Sequence, residues 1–294
     1  MILVAGGTGR LGRLLVPALL GAGEQVRVLA RHAATARGLN GAELLDGDVR
    51  ERGSLAAAFE GVDTVISAVQ AFVDPGGGTP ETVDRDGNAN LVEMAGRTGA
   101  AVILLSVTGA GPSSPMEYCR MKWAAEEILR HSSVEWTIVR ASAFAETWVE
   151  VLTATAGSSQ RPMAFGRGDN PINFVMVVDV AAAVLRALGD DAMRGHVIEV
   201  GGPENVSLTE FARRVQETRG RTESPRHVPR LVLRAGGWAL RSIQPGLARQ
   251  MRTAVSMDTM DLRFDSAAAR AKYPWLPCSP LWLDRVPISF LSHL

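Results

Sequence analysis

Lysine is nearly absent from this chain of 294 residues: only Lys122 and Lys272 occur, and every other basic position is arginine. Two tyrosines, Tyr118 and Tyr273, and two cysteines, Cys119 and Cys278, are as scarce. Two cysteines cannot build a disulfide framework and read as free thiols of a reducing compartment. The 31 basic and 31 acidic side chains cancel, so no basic footprint recommends a nucleic-acid partner. No run approaches the roughly 18 uninterrupted apolar residues of a membrane span. A first strand starting at Met1 leaves no room for a basic-then-apolar leader. These absences predict a soluble, cytoplasmic protein without an integral membrane segment, and no metal site is expected.

What is present begins at once. Met1 to Ala5 is a short apolar run, the pattern of a strand buried on both faces. A helical pattern follows, with Leu11, Leu14, Leu15, Ala18 and Leu19 on one face. Between them, Gly6, Gly9 and Gly12 fit G-x-x-G-x-x-G, and Gly7, Gly9 and Gly12 fit G-x-G-x-x-G. So tight a strand-to-helix turn needs residues without a Cβ, both to turn and to let a pyrophosphate reach backbone N–H groups at the positive helix end. Gly6, Thr8, Gly9, Arg10, Leu11 and Gly12 are therefore the candidate diphosphate cradle.

The second strand, Gln25 to Ala30, lacks the acidic residue that normally accepts from an NAD ribose; none occurs between Gln25 and Ala42. Arg31 stands at the strand's end with His32 beside it, and Arg10 lies in the glycine loop. Cations here suit a 2′-phosphate, which a carboxylate would repel, so NADP(H) is expected over NAD(H). A third strand, Glu43 to Gly47, runs into Asp48 and Val49, positioned to take the adenine amino group and flank its ring; a turn residue before the helix from Ser54 reads equally well for Asp48. Ala68 and Val69, small residues at the end of strand Thr64 to Gln70, suit close passage of a cofactor. Asp74 to Pro80 reads as a loop, Thr82 to Arg97 as a helix and Ala101 to Leu105 as a fifth strand ending at Ser106. Strands alternating with helices predict an α/β fold, a doubly wound parallel sheet of Rossmann type, with ligands beyond the carboxyl ends of the strands.

Ser106 falls on that edge. Twelve residues on, Tyr118 and Lys122 are spaced i, i+4 in the helical stretch Met116 to Arg130 and share one face. A lysine ammonium beside a phenol favours phenolate, and the same lysine can hold ribose hydroxyls. With Ser106 orienting a carbonyl, the three describe a ketone reductase in which Tyr118 is the acid.

Val134 to Ala141 is the sixth strand. Beyond it, Phe144 and Trp148 are candidate substrate contacts, with ordinary packing an equal alternative. Arg161 to Asn173 reads as a loop, Val178 to Leu188 as an amphipathic helix, His196 to Gly201 as a strand, and Ser207 as the cap of a helix with Glu210 at capping-box spacing. From Ser224 to Met257 there are six arginines and no acidic residue; a pair of helices with arginines outward is favoured over a membrane or acidic-partner surface. The organisation expected is a core over 1–142 and a mixed segment over 143–294, which returns to the core at 178–203 and otherwise forms a small C-terminal substrate lobe.

Over nearly its whole length the chain resembles the NmrA-like atypical short-chain dehydrogenase/reductases, including those related to the accessory NAD(P)-binding subunit of respiratory complex I. The resemblance rests on GGTGRLG, TVDRDGNANLVEMA, MKWAAEEIL, VEWTIVRASAFAETW, INFVMVVDVAAAV and IEVGGPENVSLTEFA. It implies a Rossmann core, NAD(P) at the first glycine loop and a small lobe shaping the substrate site. The expected activity is an NADPH-dependent oxidoreductase acting on a small to medium apolar carbonyl, quinone or enone. A non-catalytic NAD(P)-sensing regulator or scaffold is the alternative. Small-molecule substrate apart, a homodimer is compatible with the sequence.

Overall fold

Seven short segments rich in Val, Ile, Leu and Ala hydrogen-bond side by side into one parallel sheet. In the computed structural model, which describes residues 1–72 and 77–283, the first six strands are β1 Ile2–Ala5, β2 Val26–Ala30, β3 Glu43–Asp46, β4 Thr64–Ser67, β5 Ala101–Val107 and β6 Trp136–Ala141. Five further strands or strand pieces follow before the end: β7 Ala143–Phe144, β8 Met163–Phe165, β9 Pro171–Val175, β10 Val197–Val200 and β11 Asn205–Ser207, then a last one, β12 Arg226–Val228. The large sheet has the order β10, β6, β5, β4, β1, β2, β3. Its inner strands are buried on both faces, β1 and β2 at every residue, as a parallel sheet covered by helices requires. Order reverses beside β1, so the loops after β1 and β4 open at the switch point where such sheets take ligands.

Helices α1 Gly12–Gly21, α2 Asn88–Thr98, α3 Glu117–Arg130 and α5 Val177–Leu188 belong to this sheet, and α4 Ala145–Ala156 begins the other part of the chain. The molecule divides into two compact units. One comprises Met1–Ala141 and Val177–Val200; the other comprises Ser142–Met176 and the chain from Gly201 on. The first has a core of Leu3, Leu55, Phe59, Val65, Leu91, Leu104 and Leu129. In the second, Trp148, Phe174 and Phe211 form the centre, with Phe174 and Phe211 stacked at 4.1 Å. There β11, β9 and β7 make a small sheet, β12 pairs with β8, and helices α6 Leu208–Glu217, α7 Arg230–Ala239, α8 Pro245–Met257 and α9 Ser266–Lys272 complete it.

Three local expectations fail. The helix expected from Ser54 is two 3-10 turns, Arg52–Leu55 and Ala57–Phe59; Ser54 spends its hydroxyl on Asp48 and Glu51 carbonyls and accepts from the Asp48 N–H, which favours a turn over a helix. The stretch read as one helix from Thr82 opens as a π-helix, Pro80–Gly87, before α2. Arg161 to Asn173 is not loop throughout, since Met163–Phe165 and Pro171–Val175 are strands whose partners, β12 and β11, are remote in sequence. Of the expected loop 74–80, residues 74–76 lie outside the described residues.

Candidate active site

The turn between β1 and α1 closes on itself. Gly6 has a φ of +86°, and a Cβ there would lie 2.7 Å from the Ala68 carbonyl oxygen after β4. A Cβ on Gly12 would lie 2.3 Å from the Gly7 Cα, and one on Gly7 would meet the Val28 side chain at 2.7 Å. No side chain fits at these positions, so backbone is all that Gly6, Gly7 and Gly12 present. The Gly9 N–H donates to the Gly6 carbonyl at 3.0 Å, and Arg13 ties the turn down by donating to the Thr8 carbonyl at 3.0 Å. Leu11 is buried under the first helical turn while Gly9 stays exposed. Such a cradle matches the requirements of a pyrophosphate: close backbone approach at the positive end of a helix. Ala68, whose carbonyl Gly6 abuts, and Val69 form the neighbouring wall.

Beyond β2, Arg31 is exposed and Arg10 half-buried. Asp48, read equally as an adenine acceptor and as a turn residue, is engaged by a neighbour. Arg50 donates to both its carboxylate oxygens through Nε, at 3.0 Å to each, and through Nη2 at 2.6 Å. Those bonds, helped by the charges of Arg50 and Arg31, hold its carboxyl below the usual aspartate range. Val49 beside it is buried, and its methyl would lie 2.7 Å from a Cβ on Gly87, so it packs against the π-helix.

Tyr118 and Lys122 do share a face of α3, with Nζ 5.9 Å from the phenol ring centroid. Their chemistry differs from the expectation. Lys122 is 1% exposed, and its ammonium pairs with Asp84 at 3.0 Å while donating to the Val69 carbonyl at 2.8 Å and the Leu105 carbonyl at 3.1 Å. Two of the three ammonium hydrogens thus go to carbonyls of the fold, and the charge is paired with Asp84 as well as facing the phenol ring. The Tyr118 ring is half-buried edge-on to Phe72 at 5.6 Å. Burial first, and then the negative charge of Asp84, push its phenol well above the ordinary tyrosine value. It is therefore a neutral donor, and its hydroxyl makes no hydrogen bond among the described residues.

Ser106 likewise has its proton committed. It donates to Glu126 Oε1 at 2.5 Å, and that fully buried carboxylate also accepts from Arg140 at 2.9 and 2.7 Å and from Arg130 at 2.7 Å. As an orienter of a substrate carbonyl Ser106 is thus corrected to a member of a buried network that joins β5, β6 and α3. Of the two readings left open for Trp148, its position is that of ordinary packing: it is 6% exposed, with its ring 6.3 Å from Phe165 and from Phe174 in the core of the second unit. Phe144 is half-buried in β7 of that unit.

Sequence reasoning missed the acidic half of this arrangement. Asp84 accepts from the Ala71 N–H at 3.0 Å besides pairing with Lys122, and its carbonyl accepts from Asn88, which also takes the Ser67 hydroxyl at 2.6 Å. The available signal was the polar string TVDRDGNAN inside an otherwise amphipathic helix. No group of three or more His, Cys, Asp or Glu side chains placed to hold a metal occurs among the described residues.

Comparison with known proteins fits this geometry. A family model described as NAD(P)H-binding matches residues 6–191. The NAD(P)H azoreductase of Xenophilus azovorans is 31% identical over 224 residues, 75% of this chain and 74% of that protein. In fold, the chain is similar to an NADPH-dependent quinone oxidoreductase of Escherichia coli solved with NADPH, with a TM-score of 0.75 at 22% identity over 96% of this chain and 97% of that one. It is also similar to the triphenylmethane reductase of a Citrobacter species complexed with NADP(H), with a TM-score of 0.76 at 19% identity over 97% and 98% of the two chains.

Proposed function

The chain belongs to the NAD(P)H-binding family, in its NmrA-like group of atypical short-chain dehydrogenase/reductases, and from that premise we propose that it is an NADPH-dependent reductase of a small to medium apolar acceptor such as a quinone, an enone or another conjugated carbonyl. The observation that carries the reading is the backbone cradle at Gly6 to Gly12, where a Cβ on Gly6 or Gly12 would collide with backbone. Arg10 and Arg31 are the side chains assigned to the 2′-phosphate, and the glycine-loop N–H groups to the diphosphate. When bound, the nicotinamide supplies a hydride.

Every other contribution comes from this chain. Tyr118 holds its proton on the phenol oxygen and presents it to the acceptor oxygen, because burial and Asp84 keep it neutral. Lys122 and Asp84 position rather than react: their ion pair ties α3 to the π-helix, the Lys122 bonds to the Val69 and Leu105 carbonyls tie it to the ends of β4 and β5, and together they fix the ring of Tyr118. Glu126 and Ser106 hold the same edge from the other side. A conjugated acceptor suits such a site, since the electrons it takes up are delocalised and need no phenolate chemistry.

The test is loss of NADPH absorbance with a panel of quinones, enones and an azo dye, repeated with Tyr118→Phe. A fall of about 100-fold or more assigns general-acid work to the phenol; equal rates reduce Tyr118 to lining. The internal hydrogen bonds of Lys122 and Ser106 favour one second reading, a dinucleotide-sensing protein. Tight NADPH binding without turnover of any acceptor is its mark.

A further inference from the structure

The second unit carries a helical hairpin whose outer face combines large apolar side chains with unneutralised positive charge. Leu231 is 78% exposed, Val232 55%, Trp238 68% and Ile243 76%. Along α7, Leu231, Arg234, Ala235 and Trp238 recur at three- and four-residue steps and are all exposed, so they make one stripe. This exposure is built in. The inner side of α7 is anchored by buried Leu233, and the paired glycines Gly236 and Gly237 let α8 come close: a Cβ at Gly236 would meet the Met251 sulfur at 2.6 Å. The hairpin thus packs through Leu233 and its small residues and leaves Leu231, Val232 and Trp238 outside.

The charge is equally one-sided. Between Ser224 and Met257 there is no acidic residue. Arg230 is neutralised by buried Asp258, but Arg234, Arg241, Arg249 and Arg252 have no ion pair among the described residues. On the neighbouring helix α6, by contrast, Arg213 and Arg214 are paired with Glu210. Arg241 lies over the Trp238 ring at 5.3 Å, which keeps a cation at the edge of the apolar stripe.

We propose that this hairpin face docks the protein onto an anionic lipid surface. A tryptophan and branched aliphatics at the headgroup boundary, with arginine stems lying along them and guanidinium groups reaching phosphates, are what an interfacial helix uses. The stripe is short and its partner needs no shape complementarity, only negative charge over an apolar layer; that favours a bilayer over a folded protein. No described helix is long and apolar enough to cross a membrane, so the attachment is peripheral and reversible. Independently of the chemistry proposed above, it would bring the protein to compounds dissolved in that layer.

Co-sedimentation of the full chain with vesicles decides it. Expected is binding to phosphatidylglycerol/phosphatidylcholine vesicles that weakens at least tenfold on pure phosphatidylcholine. It should weaken similarly between about 0.1 M and about 1 M salt, over which the screening length falls from about 10 Å to about 3 Å. Replacing Arg234 and Arg241 together by glutamine should cost about fivefold per charge, and Trp238→Ser should cost a comparable factor, with thermal midpoints unchanged because all three side chains are exposed. No binding to anionic vesicles, or binding indifferent to these substitutions, overturns the proposal. So does a dimer in light scattering that Trp238→Ser dissociates without any vesicle binding, since the face would then be a contact between copies.

Discussion

At the scale of single residues, Lys122 decides most. Its spacing from Tyr118 suggested an ammonium serving a phenolate, yet its side chain runs inward to Asp84 and two carbonyls. Spacing reports which face a residue shares; it says nothing about which acceptors the other elements bring there. Lys122→Met should strand Asp84 as a buried, uncompensated carboxylate and lower stability by about 3 to 5 kcal/mol, read from the urea midpoint. A merely positioning role predicts in addition that any folded Lys122 variant loses kcat more than cofactor affinity. Tyr118 has a distinct pH signature. Its phenol is raised in the folded chain, so no effect arises below the unfolded tyrosine value of about 10. Above it the unfolded chain ionises while the folded one resists, and stability falls as pH rises. Urea midpoints of the parent should decline more steeply above pH 10 than those of Tyr118→Phe.

Elements carry the cradle and its supports. Gly12→Ala places a methyl against Gly7 backbone that cannot yield as a side chain could. A loss of about 1 to 3 kcal/mol is expected from overpacking, with NADPH affinity down at least tenfold by calorimetry; unchanged affinity would remove the cradle from the cofactor site. At the start of α6 the cap is one-way: Ser207 accepts from the Glu210 N–H at 3.1 Å, but the Glu210 carboxylate turns to Arg213 and Arg214 instead of returning to the cap. Those bonds draw its pKa down to about 2. Ser207→Ala should therefore cost about 1 kcal/mol in chemical denaturation. The elements hardest to read were those without a long periodic signal. The three-residue strands β8 and β12 pair across the gap between Met163–Phe165 and Arg226–Val228, and the π-helical opening of α2 brings Asp84 beside Lys122 against the local helical pattern.

For the whole molecule, cofactor binding should couple to folding. NADPH at about 100 times its Kd stabilises the bound state by about 2.7 kcal/mol if the unfolded chain does not bind it, and a thermal shift series reads this. Arg31→Ala should narrow the difference between NADPH and NADH, reducing the shift with NADPH while leaving that with NADH nearly unchanged. Equal shifts for both cofactors in the parent would remove the assigned preference.

The alternation of apolar strands with amphipathic helices and the glycine turn were legible in sequence, because period and turn chemistry are local properties. The large parallel sheet needed little more, for strands such as β1 and β2 are apolar at nearly every position and can only be buried on both sides. Tertiary structure alone decided which polar side chains remained available. Ser106, Lys122 and Asp48 found Glu126, Asp84 and Arg50, partners supplied in the first two cases by other elements. A buried hydroxyl or ammonium must satisfy its hydrogen bonds where it stands, and that demand is met by three-dimensional neighbours no spacing rule can name.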